Sequence, residues 1–170
     1  MQYTFIYQSP LGKILLAADD QGLTGLWFEG QKYFAQNLDQ NHMEKETPVL
    51  FQTRQWLDLY FSGKNPDFLP PLHMIGTDFQ KAVWKILLSV PYGEVTTYGK
   101  IAQKIAADRG IGHMSAQAVG SAVGHNHISI IIPCHRVVGT DGSLTGYAGG
   151  IEKKRMLLKL EGLEEKKADF

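Results

Sequence analysis

Ile130-Ile131-Ile132-Pro133-Cys134-His135-Arg136-Val137-Val138-Gly139 holds the chain's only cysteine, directly beside a histidine. From Ile128 to Ile132 the residues are apolar except Ser129, which reads as a short buried strand. Pro133 ends it, having no N–H to give a ladder. A thiol just past a rigid core element is placed as a nucleophile needs. The same pair also reads as an inert buried cysteine next to a surface histidine, so the remainder of the chain has to decide.

At 170 residues and 44% hydrophobic content, the chain can bury the core of one domain or of two small ones. No apolar run approaches the ~20 residues a membrane span needs. The start, Met1-Gln2-Tyr3-Thr4, lacks the basic and then apolar character of a signal peptide. One cysteine cannot form an internal disulfide, and a free thiol suits a reducing compartment, so a cytoplasmic location is expected. Net charge is zero. Residues 1–72 carry 5 Lys/Arg against 8 Asp/Glu and residues 73–170 carry 12 against 9, a weak basic bias in the second part.

Tyr3 to Tyr7, Lys13 to Ala18 and Leu23 to Phe28 are β-rich runs separated by Ser9-Pro10-Leu11-Gly12 and Asp19-Asp20-Gln21-Gly22, the pattern of an antiparallel meander. A short helix is expected around Gln31 to Leu38. Thr47-Pro48 then caps a helix whose Val49, Leu50, Trp56, Leu57, Tyr60 and Phe61 share a face, up to Gly63. Lys64 to Gly76, with three prolines, reads as a linker, which divides the chain into domains over 1–72 and 73–170.

The capping box Thr77-x-x-Gln80 opens a helix with Phe79, Val83, Ile86, Leu87 and Val90 on its inner face, stopped by Pro91. Thr97 caps a second helix from Tyr98 to about Ala106, and Ser115 a third that ends near Gly124. Joined by a glycine-bearing loop, these two resemble a helix-turn-helix. Ala116, Ala118, Gly120, Ser121 and Ala122 leave the third helix almost without bulk, so either another helix or a nucleic-acid groove approaches it closely. Its one long polar side chain is Gln117.

His125-Asn126-His127 has a spacing that could suggest a metal, but one thiol elsewhere leaves the ligand set incomplete, and no metal is expected. Asn126 can tie a turn to the backbone through its side chain. Asp141-Gly142 is a tight turn. Gly146-Tyr147-Ala148-Gly149-Gly150 is either an ordinary turn or a place where a flat ligand meets the backbone. Ile151 to Leu160 forms the last helix, whose Lys153-Lys154-Arg155 run reads as a solvated face. Glu161 falls at that helix's C-terminus, where the macrodipole disfavours a carboxylate; it has a partner, or it is one more surface acid beside Glu164 and Glu165.

At Pro133-Cys134-His135-Arg136-Val137 the sequence resembles the O6-alkylguanine-DNA alkyltransferases, a family also called methylated-DNA–protein-cysteine methyltransferases. The likeness extends from about Thr77 to Gly162, through Val83-Trp84, Tyr98, Ala118-Val119-Gly120, Asn126, Gly146 to Gly150, and Glu161-Gly162. It implies an α/β (α+β) protein, with a small ribonuclease-H-like N-terminal α/β domain and a mainly helical C-terminal domain bearing a winged-helix-like helix-turn-helix. The implied activity is single-turnover transfer of an alkyl group from O6-alkylguanine in duplex DNA to Cys134, with O4-alkylthymine as a further candidate. No cofactor is implied, and the expected state is a monomer, with cooperative assembly on DNA as an option.

The resemblance also implies roles. Cys134 is the acceptor, His135 its base through a water, and Glu161 the residue orienting that histidine. Asn126 braces the turn, and Tyr98 helps rotate the base out and donates toward guanine N3. Tyr147, Val137, Ala148 and Gly149 line the guanine pocket, and Thr97, Ser115, Ala116, Gln117, Ala118 and Thr140 meet the DNA. Three departures stand out. Gln117 occupies the place where many relatives carry an arginine that replaces the flipped base. Ala148 replaces a serine that some relatives use to touch O6, and the Asp108–His113 loop is longer than in compact relatives. Two other readings compete: a Cys-His-Glu hydrolase or acyltransferase, which leaves the helix-turn-helix unexplained, and a non-catalytic lesion binder, against which Cys134 argues.

Overall fold

A computed structural model describes residues 1–163; Glu164 and Glu165 lie outside the described residues. The chain divides into two compact units. The first comprises Met1–Ile75 with His127–Ile131, and the second Gly76–Asn126 with the residues from Ile132 onward.

In the first unit the three β-rich runs form β1 (Gln2–Ser9), β2 (Gly12–Ala18) and β3 (Leu23–Phe28), paired antiparallel as a meander. Each turn has a local cause. Ser9 Oγ donates to the Gly12 carbonyl at 2.6 Å, and Asp19 Oδ1 accepts from the backbone of Gln21 and Gly22 at 2.9 and 3.1 Å. A fourth strand, β4 (His42–Glu44), adds to β1 in parallel and gives the order β3-β2-β1-β4. All three of its residues are exposed, so no alternation marks it in the sequence.

Thr47 caps α1 (Pro48–Phe61), accepting from Leu50 N, with proline in the first turn where its missing N–H costs nothing. Its buried Leu50, Thr53, Trp56, Leu57 and Tyr60 form the face that packs on the sheet.

Three local expectations need correction. Gln31 to Leu38 is a chain of turns, with successive bonds from the residue at i+3 back to i, because Tyr33 and Ala35 take φ of 61° and 52°, which no right-handed helix admits. Lys64 to Gly76 is not all linker, since Leu23 N donates to Pro71 O and His73 N to Leu23 O, both at 2.8 Å. Ile128 to Ile132 is not a strand: Ile128 makes a single bridge to Leu26, and Ile130 turns away with φ 69° while fully buried. A β-branched residue held in the left-handed region is strained.

The second unit begins with α2 (Asp78–Leu88), where both halves of the Thr77/Gln80 capping box are present and Val83, Trp84 and Leu87 are buried. The helix-turn-helix consists of α3 (Tyr98–Arg109) and α4 (Ala116–Gly124), capped by Thr97 and Ser115. Gly110, at φ 65°, closes α3 as Ile111 N reaches back to Ala106 O. Trp84 Nε1 donates to the Ala122 carbonyl at 2.9 Å and ties α2 to α4. Two-residue strands β5 (Thr96–Thr97) and β6 (Val137–Val138) pair in parallel, which sets the start of α3 beside the residues after Cys134. The last helix is α5 (Ile151–Leu160).

Gly25 in β3 lies under the Trp27 indole: a Cβ there would stand 2.0 Å from the ring, and Trp27 is itself 1% exposed. Gly25→Ala should therefore destabilise the protein by about 1–3 kcal/mol. Chemical denaturation measures it, and a change below about 0.5 kcal/mol would show that the ring can yield.

Candidate active site and nucleic-acid interface

Cys134 opens a 3-10 turn, Cys134–Arg136, and is buried with 5% exposure. The residue before it sets the geometry. Pro133 has φ −81° and ψ 65°, the inverse γ-turn, and Cys134 N donates across it to Ile132 O at 2.8 Å. Asn126 Nδ2 donates to that same Ile132 carbonyl at 2.8 Å, and its side chain also hydrogen-bonds the thiol. A proline-locked bend with a braced carbonyl therefore holds the sulfur, in place of the strand end anticipated from sequence.

Burial pushes the Cys134 thiol up from its ordinary value. Asn126, the Lys154 charge and the backbone N–H groups of Cys134 and His135 pull it back down. Neutral thiol is thus favoured at rest, with donors in place to receive the thiolate.

His135 is wholly buried. Its Nε2 lies 2.6 Å from Glu161 Oε2. Glu161 Oε1 accepts from Arg136 Nε at 2.8 Å and from Gly93 N at 3.0 Å, and Oε2 from Arg136 Nη2 at 3.2 Å. Arg136 also donates from Nη1 to Val90 O at 2.8 Å. A carboxylate surrounded by these donors only accepts, so Nε2 of His135 carries the hydrogen and Nδ1 is the basic nitrogen.

Burial lowers the His135 pKa. Glu161 raises it, and Arg136 and Lys154 lower it again. The imidazole is therefore neutral and available as a base.

Two residues absent from the expected set belong here. Arg136 is buried and pairs with Glu161. Lys154, expected on a solvated face, is 0% exposed, and its Nζ donates to Thr145 O at 2.8 Å and Gly146 O at 3.1 Å. Desolvation lowers its pKa from 10.5 to about 8, with Cys134 raising it in opposition. A signal existed: Lys154, Leu157, Leu158 and Glu161 fall at i, i+3, i+4 and i+7, one helical face.

Tyr98, at the start of α3, donates to Thr145 O at 3.2 Å, and burial raises its pKa. Val137 is fully buried, while Tyr147, Ala148 and Gly149 are half-buried on the loop before α5. In α4, Val119, Ala122 and Val123 face inward, and Ala116, Gln117, Ala118 and Ser121 face outward and exposed. A Cβ at Gly120 would meet Tyr98 only at 3.7 Å, an ordinary contact. Ser115 and Thr140 are exposed and Thr97 is half-buried. The outer face of α4 thus exposes small side chains and Gln117, with no other helix across it among the described residues.

A family model described as "6-O-methylguanine DNA methyltransferase, DNA binding domain" matches residues 78–163, and one described as its "ribonuclease-like domain" matches residues 1–74. The chain belongs to the 6-O-methylguanine DNA methyltransferase family. It is 43% identical to the methylated-DNA–protein-cysteine methyltransferase of Haemophilus influenzae over 95% of this chain and 86% of that protein. Identity with the protein of that name from Methanosarcina acetivorans is 44%, over 94% and 98%. Among solved structures, Mycobacterium tuberculosis OGT in complex with DNA superposes with a TM-score of 0.78 at 43% identity, covering 94% of this chain and 91% of that one. The α/β sheet unit followed by a helical unit is the architecture of these methyltransferases.

The hydrogen-bond pattern makes His135 a neutral Nε2–H tautomer. Because its folded pKa lies below the unfolded value near 6.5, the unfolded chain binds more protons in acid, and stability is lost as pH falls below that value. Nitrogen-resolved NMR of the imidazole should show this tautomer at neutral pH and titration displaced to the acid side; a ring half-charged at or above pH 6.5 would contradict it.

Proposed function

We propose that this protein reverses alkylation damage in DNA directly, moving the alkyl group of O6-alkylguanine in a duplex onto Cys134 in a single irreversible turnover. The observation that carries the reading is the sole thiol, clamped by Pro133 and Asn126 beside a histidine whose other nitrogen is committed to Glu161. Family membership supplies the reaction class.

His135 takes the thiol proton at Nδ1, directly or through a water, and Glu161 stabilises the imidazolium that forms. The thiolate is soft and attacks the sp3 carbon on O6. An S–C bond forms, the O6–C bond breaks, and its electron pair leaves with guanine. Protonation of the base by Tyr98 assists departure, and the raised pKa of that phenol keeps its proton on until it is needed. The product is a thioether with no carbonyl for water to attack, so the sulfur is not released.

The alkyl carbon is hidden in the stack, so the nucleotide must rotate out, at a cost of a few kcal/mol that is smallest at damaged pairs. The small outer residues of α4, with Ser115, Thr97 and Thr140, fit close approach to a groove. Gln117 can hydrogen-bond an orphaned cytosine without bringing charge. Tyr147, Val137, Ala148 and Gly149 form the wall for the extruded base. A free thiol of this kind suits a reducing compartment, in keeping with a cytoplasmic protein.

Mixing the protein with a duplex bearing O6-methylguanine should add one CH2 to Cys134 by peptide mass, restore guanine, and stop at one equivalent per protein. Cys134→Ser should do neither. A lesion that is bound while the mass never changes would replace this reading with a lesion sensor.

A further inference from the structure

The side chain of Arg136 is moored on three sides. Its Nε and Nη2 form a fork on Glu161, at 2.8 Å to Oε1 and 3.2 Å to Oε2, and its Nη1 donates to the Val90 carbonyl, just past α2, at 2.8 Å. The guanidinium carbon lies 5.8 Å from the centre of the Tyr92 ring, and Tyr92 Oη donates in turn to the Leu160 carbonyl, next to Glu161, at 3.4 Å. A planar fork held in this way meets the carboxylate in a fixed orientation, which a lysine ammonium could not impose.

The Glu161 side chain has no exposed surface, and its Oε2 serves both Arg136 Nη2 and His135 Nε2, the latter at 2.6 Å. A buried carboxylate deprived of such a fork gains a proton, because desolvation disfavours its charge. Within the Glu161–His135 pair that proton has two resting places. On Glu161, the acid donates to Nε2 and the imidazole hydrogen moves to Nδ1. On His135, the ring becomes imidazolium. In both forms Nδ1 carries a hydrogen and cannot take one from the thiol.

Resting on the alkyl-acceptor reading above, we propose that Arg136 is a positioning residue for the transfer: its fork holds Glu161 as an acceptor-only carboxylate, which keeps the His135 hydrogen on Nε2 and leaves Nδ1 able to receive the thiol proton. The other groups at the site play different parts. Lys154 on α5 also opposes a proton on the imidazole, but it is hydrogen-bonded to the Thr145 and Gly146 carbonyls. Tyr92, in the loop before β5, has its pKa raised by burial and stays uncharged, and Gly93 gives Glu161 Oε1 a neutral N–H at 3.0 Å. Cys134 is a neutral thiol at rest.

Nitrogen-resolved NMR of His135 reads the tautomer without DNA. In Arg136→Gln, Nδ1 should carry a hydrogen at neutral pH, as the other tautomer or as imidazolium. Alkyl transfer from an O6-methylguanine duplex should then be about tenfold slower or more at neutral pH, and recover as rising pH removes the extra proton. Arg136→Lys keeps the charge and should bring back the Nε2–H tautomer and most of the rate. An Arg136→Gln protein that retains the Nε2–H tautomer at neutral pH overturns the proposal, and so does a rate lost equally at every pH. If the wild type transfers no alkyl group while the tautomer still follows residue 136, the alkyl-acceptor reading fails and the control of His135 by Arg136 stands.

If Arg136→Gln does not fold, the double variant Arg136→Gln/Glu161→Gln decides, since replacing both members of the pair strands neither charge. Because Arg136 acts through Glu161, the double variant should react as Glu161→Gln does alone. A double variant slower than Glu161→Gln by a further factor of about ten would show that Arg136 acts independently of the carboxylate, and would overturn the assignment.

Discussion

A carboxylate at the C-terminus of a helix, out of water, is stable only if donors surround it, and Glu161 is placed in that way. It is 6% exposed and accepts hydrogen bonds from His135, from Arg136 twice and from Gly93. Those partners come from the turn that carries Cys134 and from the loop before β5. One buried anion therefore fixes the imidazole's tautomer, the arginine's orientation and the end of α5 together. Removing a single partner of such a pair leaves the other charge stranded, typically at a cost of about 3–5 kcal/mol.

The second constraint is covalent. The ring of Pro133 already fixes φ near the value the inverse γ-turn needs, which lowers the entropic cost of that turn, and Asn126 braces the carbonyl across it. The sulfur is thereby held by backbone geometry, and the residues that set its proton affinity are grouped around it. Lys154 and Glu161 sit seven residues apart on one face of α5, opposite in sign and both buried. This helix brings charge to the site at both ends of an apolar pair, Leu157 and Leu158.

Much of this was legible in the residues. The Thr77/Gln80 box, the Thr97 and Ser115 caps and the limits of α5 follow from local chemistry, which the tertiary structure leaves in force. Glu161 announced itself by violating the macrodipole preference. Lys154 did not, because a basic run on a surface helix is ordinarily solvated, and only its phase with Leu157, Leu158 and Glu161 placed it inward. Ile128 to Ile132 misled for a different reason: a short apolar run has no periodicity that separates a buried strand from a buried turn, and the left-handed Ile130 is a tertiary effect. β4 was invisible since none of its residues is buried. The chain of turns at Gln31 to Leu38 carries helix-compatible residues whose φ values are set by their surroundings.

The claim on which the account depends is that Glu161 acts through His135 to ready the Cys134 thiol. Single-turnover rates of alkyl transfer from an O6-methylguanine duplex, measured for wild type and Glu161→Gln across pH with folding checked by circular dichroism, test it most directly. The account predicts a folded but less stable variant in which transfer at neutral pH is at least about tenfold slower, with a displaced pH profile. A folded Glu161→Gln protein that transfers at the wild-type rate, with the same pH dependence, would contradict it.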